Sequence, residues 1–279
     1  MTDWSLTLSA PAKINLYLGV HTERDDRGYH KVDSLMAAVG LADIVTVAPA
    51  QELTVQTVPA SDFPMQKNTA YRAALAMVEH YGREANICVT IEKHIPLCAG
   101  LGGPSTDAAA VIVALAELWG VDRSDPALDD IARGIGADVP FFLHASPAFY
   151  VGGGDVLATE YPALPATPVV LVKPREASVS TIEAYRRFDE NPVPADKPGA
   201  IASALRAGDA ETACALIHNN LGVISAQMEP QIQTVLDWLR AQDGTVAVDV
   251  CGSGACSFAI CDTAATASNL AASARQNGW

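Results

Sequence analysis

The sequence predicts an α+β fold, on three observations. Strand-type alternation and β-branched residues crowd the stretch up to residue 92, whereas most of the later chain carries the three-to-four-residue apolar spacing of helices. A glycine-rich loop at 96–107 runs straight into an apolar, alanine-rich stretch at 108–119. Strands gathered early and helices gathered late fit α+β better than a regular parallel sheet.

The elements follow in order. Segments 6–8, 13–20, 43–48, 53–58 and 87–92 read as strands, and 68–81 reads as a helix that Asn68 or Thr69 can cap. In 13–20, Ile14, Leu16, Leu18 and Val20 point to one face, the core, while Lys13, Asn15 and Tyr17 form a polar face opposite. Helices are expected at about 105–119 and 125–135, a strand at 169–173, and further helices near 179–188, 197–206, 209–217 and 229–242. A strand pair at 246–251 and 257–261 flanks a second glycine loop, and 264–277 closes the chain as a helix. The three prolines in 161–168 mark a linker, and 189–198, with three more, a loop. There is no internal repeat.

The 279 residues suit one large domain or two moderate ones, and 49% hydrophobic residues supply a substantial core. A net charge of −14 argues against nucleic acid or an anionic membrane surface as the main partner. The N-terminus has no signal-peptide pattern and no apolar run is long enough to span a bilayer, so a cytoplasmic protein is expected. The six cysteines form no C-x-x-C pair, and the five-residue spacing of Cys251, Cys256 and Cys261 fits no zinc site, so free thiols are expected and no metal-ligating residues.

Chemistry concentrates in five segments. The first is Pro96-Leu97-Cys98-Ala99-Gly100-Leu101-Gly102-Gly103-Pro104-Ser105-Thr106. Glycines let the backbone approach a ligand, and a helix that starts there aims free amides and its positive dipole end at it, which suits phosphate. The segment partly matches a dinucleotide fingerprint, but it lies a third of the way along the chain and follows charged residues. It lacks the lysine of a Walker loop. A phosphate loop of another type fits best, ahead of a bare turn. The second segment is the Lys13–Asn15 polar face, where a lone lysine in an apolar strand points to a site. The third is Gly136-Ala137-Asp138-Val139-Pro140, where Asp138 is either a helix cap or a base for a substrate hydroxyl. The fourth, Gly28-Tyr29-His30, suits stacking on a heterocycle or a plain surface loop. The fifth, Gly252-Ser253-Gly254-Ala255-Cys256, permits close backbone approach or a tight hairpin.

Taken together and in this order, from residue 11 to about 262, these segments resemble the GHMP kinase superfamily. Pro11-Ala12-Lys13-Ile14-Asn15-Leu16 is similar to its first motif, 96–106 to its ATP loop, 136–140 to the segment with its catalytic aspartate, and 252–256 to its third motif. Gly28-Tyr29-His30 resembles the cytidine-binding loop of one branch, which phosphorylates a cytidine-diphosphate-linked methylerythritol on the non-mevalonate route to isoprenoid precursors.

The resemblance implies a two-lobed fold, with a first lobe like domain two of ribosomal protein S5, a C-terminal α+β lobe, and the active site in the cleft. It places the ATP-loop and catalytic lobe at 1–160 and the second lobe at 161–279. It implies ATP and Mg²⁺, with residues 96–106 on the ATP. Asp138 would act as base, Lys13 would steady the aspartate and the transferring phosphoryl group, and Asn15, Tyr29, His30 and Tyr185 would hold the cytidine substrate. A monomer or homodimer is expected. The alternatives are a sister kinase for homoserine or mevalonate, a non-catalytic nucleotide-binding relative, and a dinucleotide oxidoreductase. The chain departs from the family pattern at Pro104, where Gly or Ser is usual; at Thr106 and Cys251, where Ser is; and at Asn220, where Asp is. Proline removes one N–H from the cradle but suits a first helical turn, so re-aimed ATP contacts are expected.

Overall fold

Two long strands open the chain in the computed structural model, which describes residues 4–279. β1 (Leu6–Arg24) joins the two expected segments 6–8 and 13–20 into one strand, and β2 (His30–Pro49) begins well before the expected 43–48. The chain folds into two compact units. One comprises residues up to 12, 38–96 and 102–145, and the other 13–37, 97–101 and 146–279. Each long strand therefore contributes to both.

In the first unit, β4 (Ile87–Glu92) lies between the second half of β2 and β3 (Thr54–Val58). It pairs antiparallel with β2, Ile44 opposite Glu92, and parallel with β3, Thr54 opposite Cys88. Val45, Val47, Val89 and Ile91 are buried along these strands. After a 3-10 turn at Met65–Lys67 comes α1 (Thr69–Tyr81), started by the Asn68 side chain, which accepts from the Ala70 N–H at 2.9 Å. It packs on α2 (Gly103–Trp119), whose long apolar run is buried from Thr106 to Ile112. Fully buried side chains of the size of Met77, Ile112 and Leu115 each stabilise the unit by roughly 1.5–3 kcal/mol. α3 (Pro126–Ile135) is capped by Asp125, and α4 (Val139–His144) buries Phe141 and packs on α2.

In the second unit, the first half of β2 pairs antiparallel with β5 (Ala148–Val151), Ser34 opposite Tyr150, and β5 pairs with β6 (Val156–Glu160). β7 (Val169–Val172), β10 (Ser257–Cys261) and β9 (Thr245–Val250) form a three-stranded antiparallel sheet with β10 central. Helices α5 (Thr181–Glu190), α6 (Gly199–Ala207) and α7 (Ala210–Ala215) lead to β8 (His218–Asn219), which pairs parallel with β1 at Tyr17 and Leu18. α8 (Asn220–Met228), α9 (Pro230–Arg240) and α10 (Ala264–Gln276) follow. One core joins Leu18, Val20, Phe188, Leu221, Ile232 and Val250; a second joins Val170, Leu239, Ala259 and Leu270.

Several expectations need correction. α2 starts at Gly103 rather than Ser105, because Gly102 in the left-handed region (φ 75°) begins the helix there. α4, β5, β6, β8 and α8 were not foreseen. Each of these strands has at most five residues, too few for alternation to register, and α4 has one turn and a half.

Candidate active site

Residues 97–101 of the glycine loop are stitched by backbone bonds to the second glycine loop, and both segments lie in the second unit. Ala255 N–H donates to the Cys98 carbonyl (3.1 Å) and Cys256 N–H to that of Ala99 (3.3 Å). The Cys251 N–H closes its own turn on the Cys256 carbonyl at 2.8 Å. A side chain at Gly100 would collide with this turn: a Cβ there would stand 1.8 Å from the Cys251 carbonyl oxygen. Leu101 accepts from the Lys13 N–H at 3.0 Å, which fixes the loop on β1. Leu97 and Cys98 are exposed, while Ala99 and Leu101 are buried anchors.

Lys13 lies beside this junction. Its ammonium donates to Asn15 Oδ1 (2.7 Å), and Asn15 Nδ2 donates to the Ser34 hydroxyl (2.9 Å). A Cβ at Gly252 would stand 3.2 Å from Lys13 Nζ, so the second glycine loop passes directly over the ammonium. Asn219 fastens that loop by donating to the carbonyls of Val250 (2.9 Å) and Gly252 (2.8 Å). Lys13, Asn15, the 97–101 loop and 251–256 are thus one constellation. Ser34, Asn219 and Gly252 complete it; the only sequence signal for them was the glycine motif around Gly252.

The first unit holds Pro96, Gly102, Gly103, Pro104, Ser105, Thr106 and Asp138. Pro104 sits in the first turn of α2, where an N–H has no intrahelical partner, so proline costs the helix no bond, and its carbonyl accepts from the Thr69 hydroxyl. A Cβ on Gly136 would stand 4.0 Å from the Ser105 hydroxyl, which places the turn leading to Asp138 beside the start of α2. Asp138 occupies the cap position of α4, but its side chain makes no cap hydrogen bond. Below the start of α2 is a group the sequence did not reveal. The Lys93 ammonium bridges buried Asp43 and Asp107, with 2.6 Å to Asp107 Oδ2. Asp43 Oδ1 accepts from the Ile95 N–H at 2.8 Å, and Asp107 Oδ1 has no hydrogen-bond partner. Burial pushes the Asp107 carboxyl up to about 7 in spite of Lys93.

The fourth segment also lies in the second unit. His30 is buried, its Nδ1 2.7 Å from the His21 carbonyl, which fixes the proton on Nδ1. Nε2 is buried without a hydrogen-bond partner, 3.2 Å from Asp189 Oδ1. The imidazole stacks on Tyr185 with ring centres 5.2 Å apart and meets the edge of Phe188 at 5.7 Å. Arg24 links the loop to α5, donating to the Gly28 carbonyl and to Asp189, each at 2.7 Å. His30 and Tyr185 are thus in contact, while Tyr29 projects outward, 63% exposed.

With a glycine loop against a buried lysine and an aromatic–imidazole cluster in the same unit, the chain is a small-molecule kinase. The chain belongs to the GHMP kinase family: the model of its N-terminal domain matches residues 68–146 and that of its C-terminal domain residues 201–278. A relative from Mycobacterium tuberculosis, 4-diphosphocytidyl-2-C-methyl-D-erythritol kinase, is 34% identical over 277 residues, covering 96% of this chain and 86% of its own. The same kinase from Mycolicibacterium gilvum is 36% identical over 280 residues, covering 95% and 85%. A crystal structure of 4-(cytidine 5'-diphospho)-2C-methyl-D-erythritol kinase superposes with a TM-score of 0.79 at 33% identity, over 97% of this chain and 96% of that one. Kinase relatives imply ATP as the phosphoryl donor. Among the described residues no helix is long and apolar enough to cross a membrane, and no group of three or more His, Cys, Asp or Glu could hold a metal ion.

Proposed function

We propose that this kinase moves the γ-phosphoryl group of ATP to the 2-hydroxyl of 4-diphosphocytidyl-2-C-methyl-D-erythritol. The observation that carries the substrate is His30. Its Nδ1 is held on the His21 carbonyl and its ring lies against Tyr185 and Phe188, which makes an aromatic–imidazole cluster at the Tyr29 loop. A cytosine can stack against this aromatic–imidazole cluster. The curated relatives named for the same substrate support this reading.

Phosphoryl transfer needs in-line placement and stabilisation of charge more than covalent help. The amides at the start of α2 would offset charge on the ATP phosphates, and Lys13 charge on the moving group. Asp138 would accept the proton of the attacking hydroxyl. Magnesium fits this donor set because it binds largely through substrate phosphates, and the half-buried Ser105 would supply a hydroxyl where the phosphates would lie, whereas Thr106 is buried. It would supply charge neutralisation on the phosphates. The deciding experiment is ADP release with ATP and Mg²⁺ across three acceptors. Turnover on the diphosphocytidyl acceptor far above that on homoserine or mevalonate is expected; a preference for either of the latter overturns the proposal.

A further inference from the structure

Tyr29 is an exposed aromatic in a loop that is anything but loose. Its backbone N–H donates to Asp25 Oδ1 (2.9 Å), and its carbonyl accepts from the Asp25 N–H (2.7 Å). Asp25 Oδ1 also accepts from the Arg27 N–H at 3.0 Å. Arg27 then reaches out of the loop. Its Nη1 and Nη2 donate to Asp155 Oδ2 and Oδ1 at 2.7 and 2.9 Å, a two-pronged pair on a carboxylate that is 3% exposed, while Nε donates to Asp25 Oδ2 at 2.9 Å. Both carboxylates raise the Arg27 pKa further above its already high value, so the guanidinium is a permanent charge.

The turn that carries Asp155 is shaped to receive this group. Gly152 and Gly154 both take positive φ (71° and 88°), and Gly153 N–H donates to Asp155 Oδ1 at 3.1 Å. A Cβ on Gly153 would stand 3.0 Å from Arg27 Nη2 and 3.6 Å from the Tyr29 Cβ, so the bare backbone of the β5–β6 turn lies against both residues. The Val32 N–H bonds the Gly152 carbonyl at 2.8 Å, tying the turn to β2 as well. Finally, the Arg27 guanidinium carbon lies 5.2 Å from the centre of the Tyr29 ring, within cation–π range.

We propose that Arg27 is a positioning residue for the nucleobase: bolted to Asp155 and Asp25, it backs one face of the Tyr29 ring and holds the ring as a preformed platform whose other face takes the base. This rests on the proposal that Tyr29 grips cytosine. A tyrosine that projects from a surface loop would ordinarily lose rotamer freedom when a ligand stacks on it, and that loss weakens binding. Here the guanidinium limits that freedom before the ligand arrives.

The test is calorimetric binding of cytidine diphosphate, and separately of a non-hydrolysable ATP analogue, to the full-length protein and to Arg27→Met, Arg27→Lys, Asp155→Asn and Tyr29→Ala. Arg27→Met keeps the aliphatic stem and removes the charge and the fork. It is expected to weaken cytidine diphosphate about 3–10-fold, the scale of a cation–π contact together with lost preorganisation, with the ATP analogue unchanged. Asp155→Asn should do the same more mildly, Arg27→Lys should recover part of the loss, and Tyr29→Ala should exceed them all. Thermal melts of the ligand-free variants separate a lost platform from a lost fold. Equal weakening of both nucleotides would mark a merely structural role and overturn the assignment. Wild-type affinity in Arg27→Met, with Tyr29→Ala impaired, would overturn it while leaving the base site standing. No cytidine diphosphate binding by the wild type, or none lost in Tyr29→Ala, would remove the base site and this role together.

Discussion

The α-carbon of Gly100 lies against the Cys251 carbonyl so closely that a Cβ there would be 1.8 Å from its oxygen. The two glycine loops therefore share one backbone junction, and residue 100 must lack a side chain for two reasons: the space is taken, and its φ of 72° is left-handed. Gly100→Ala must break the Cys98–Ala255 and Ala99–Cys256 bonds or push the second loop off Lys13. The expected result is a loss of at least about 2 kcal/mol in urea unfolding, from strain and lost hydrogen bonds, together with weaker ATP binding. Gly40→Ala, with nothing within 4 Å of its Cβ position, is the matching control and should stay near wild type.

The assignment of Lys13 and Asp138 predicts a particular kinetic signature. Asp138→Asn keeps the shape of the side chain and removes its basicity; Lys13→Met keeps a long apolar side chain and removes its charge. Each is expected to lower kcat roughly 10²-fold or more, with the KM for ATP little changed, because the interaction lost is one that grows in the transition state. Turnover within a few-fold of wild type in both variants would dismiss the assignment.

The parts of the fold and site visible in the sequence were those with a local signature. Pro104 suits a first helical turn, Asn68 a cap, and the alternation of Ile14, Leu16 and Leu18 a strand. What stayed hidden depends on partners far apart in sequence. Lys93 gives no sign that it bridges Asp43 and Asp107, and Arg27 none that it reaches Asp155. The first half of β2 was invisible because Ser34, Leu35, Met36 and Ala37 are all buried, which erases the alternation that marks a half-exposed strand. Tyr185 was placed only through the family resemblance, and its stacking on His30 needs the fold to bring α5 to β2.

Asp107 should leave a mark on the pH dependence of stability. Burial raises its carboxyl to about 7 in the folded chain, whereas the unfolded group titrates near 4. Between those values the folded state binds more protons than the unfolded one. Stability therefore falls as pH rises, by at most about 1.4 kcal/mol per pH unit from this group, and levels off above pH 7. Asp107→Asn cannot ionise. Relative to wild type it is expected to gain stability progressively from pH 4 to pH 7, measured as the difference in urea-unfolding free energy at each pH. A difference that is the same at both ends would exclude this ionisation as the cause.

Asn220 stands where β8 ends, and its side chain continues the pairing that the backbone abandons. Its Oδ1 accepts from the Val20 N–H at 2.9 Å, and its Nδ2 donates to the carbonyls of Val20 (2.9 Å) and Val193 (2.8 Å). An amide can do this because it carries donor and acceptor on one carbon; a carboxylate cannot. In Asn220→Asp, one oxygen would still accept from Val20, but the other would face two carbonyl oxygens at a position that is 0% exposed. The buried charge would lack a cation, and two carbonyls would lose their donor, a combination that costs about 3–5 kcal/mol. The new carboxyl would also be pushed above its ordinary value, so the protonated form, which restores one donor, is favoured at low pH. The variant should accordingly be least stable at pH 8 and recover toward pH 5. Urea-unfolding midpoints at the two pH values measure this, and a midpoint at pH 8 equal to that of the wild type would show that the Val20 and Val193 bonds contribute nothing.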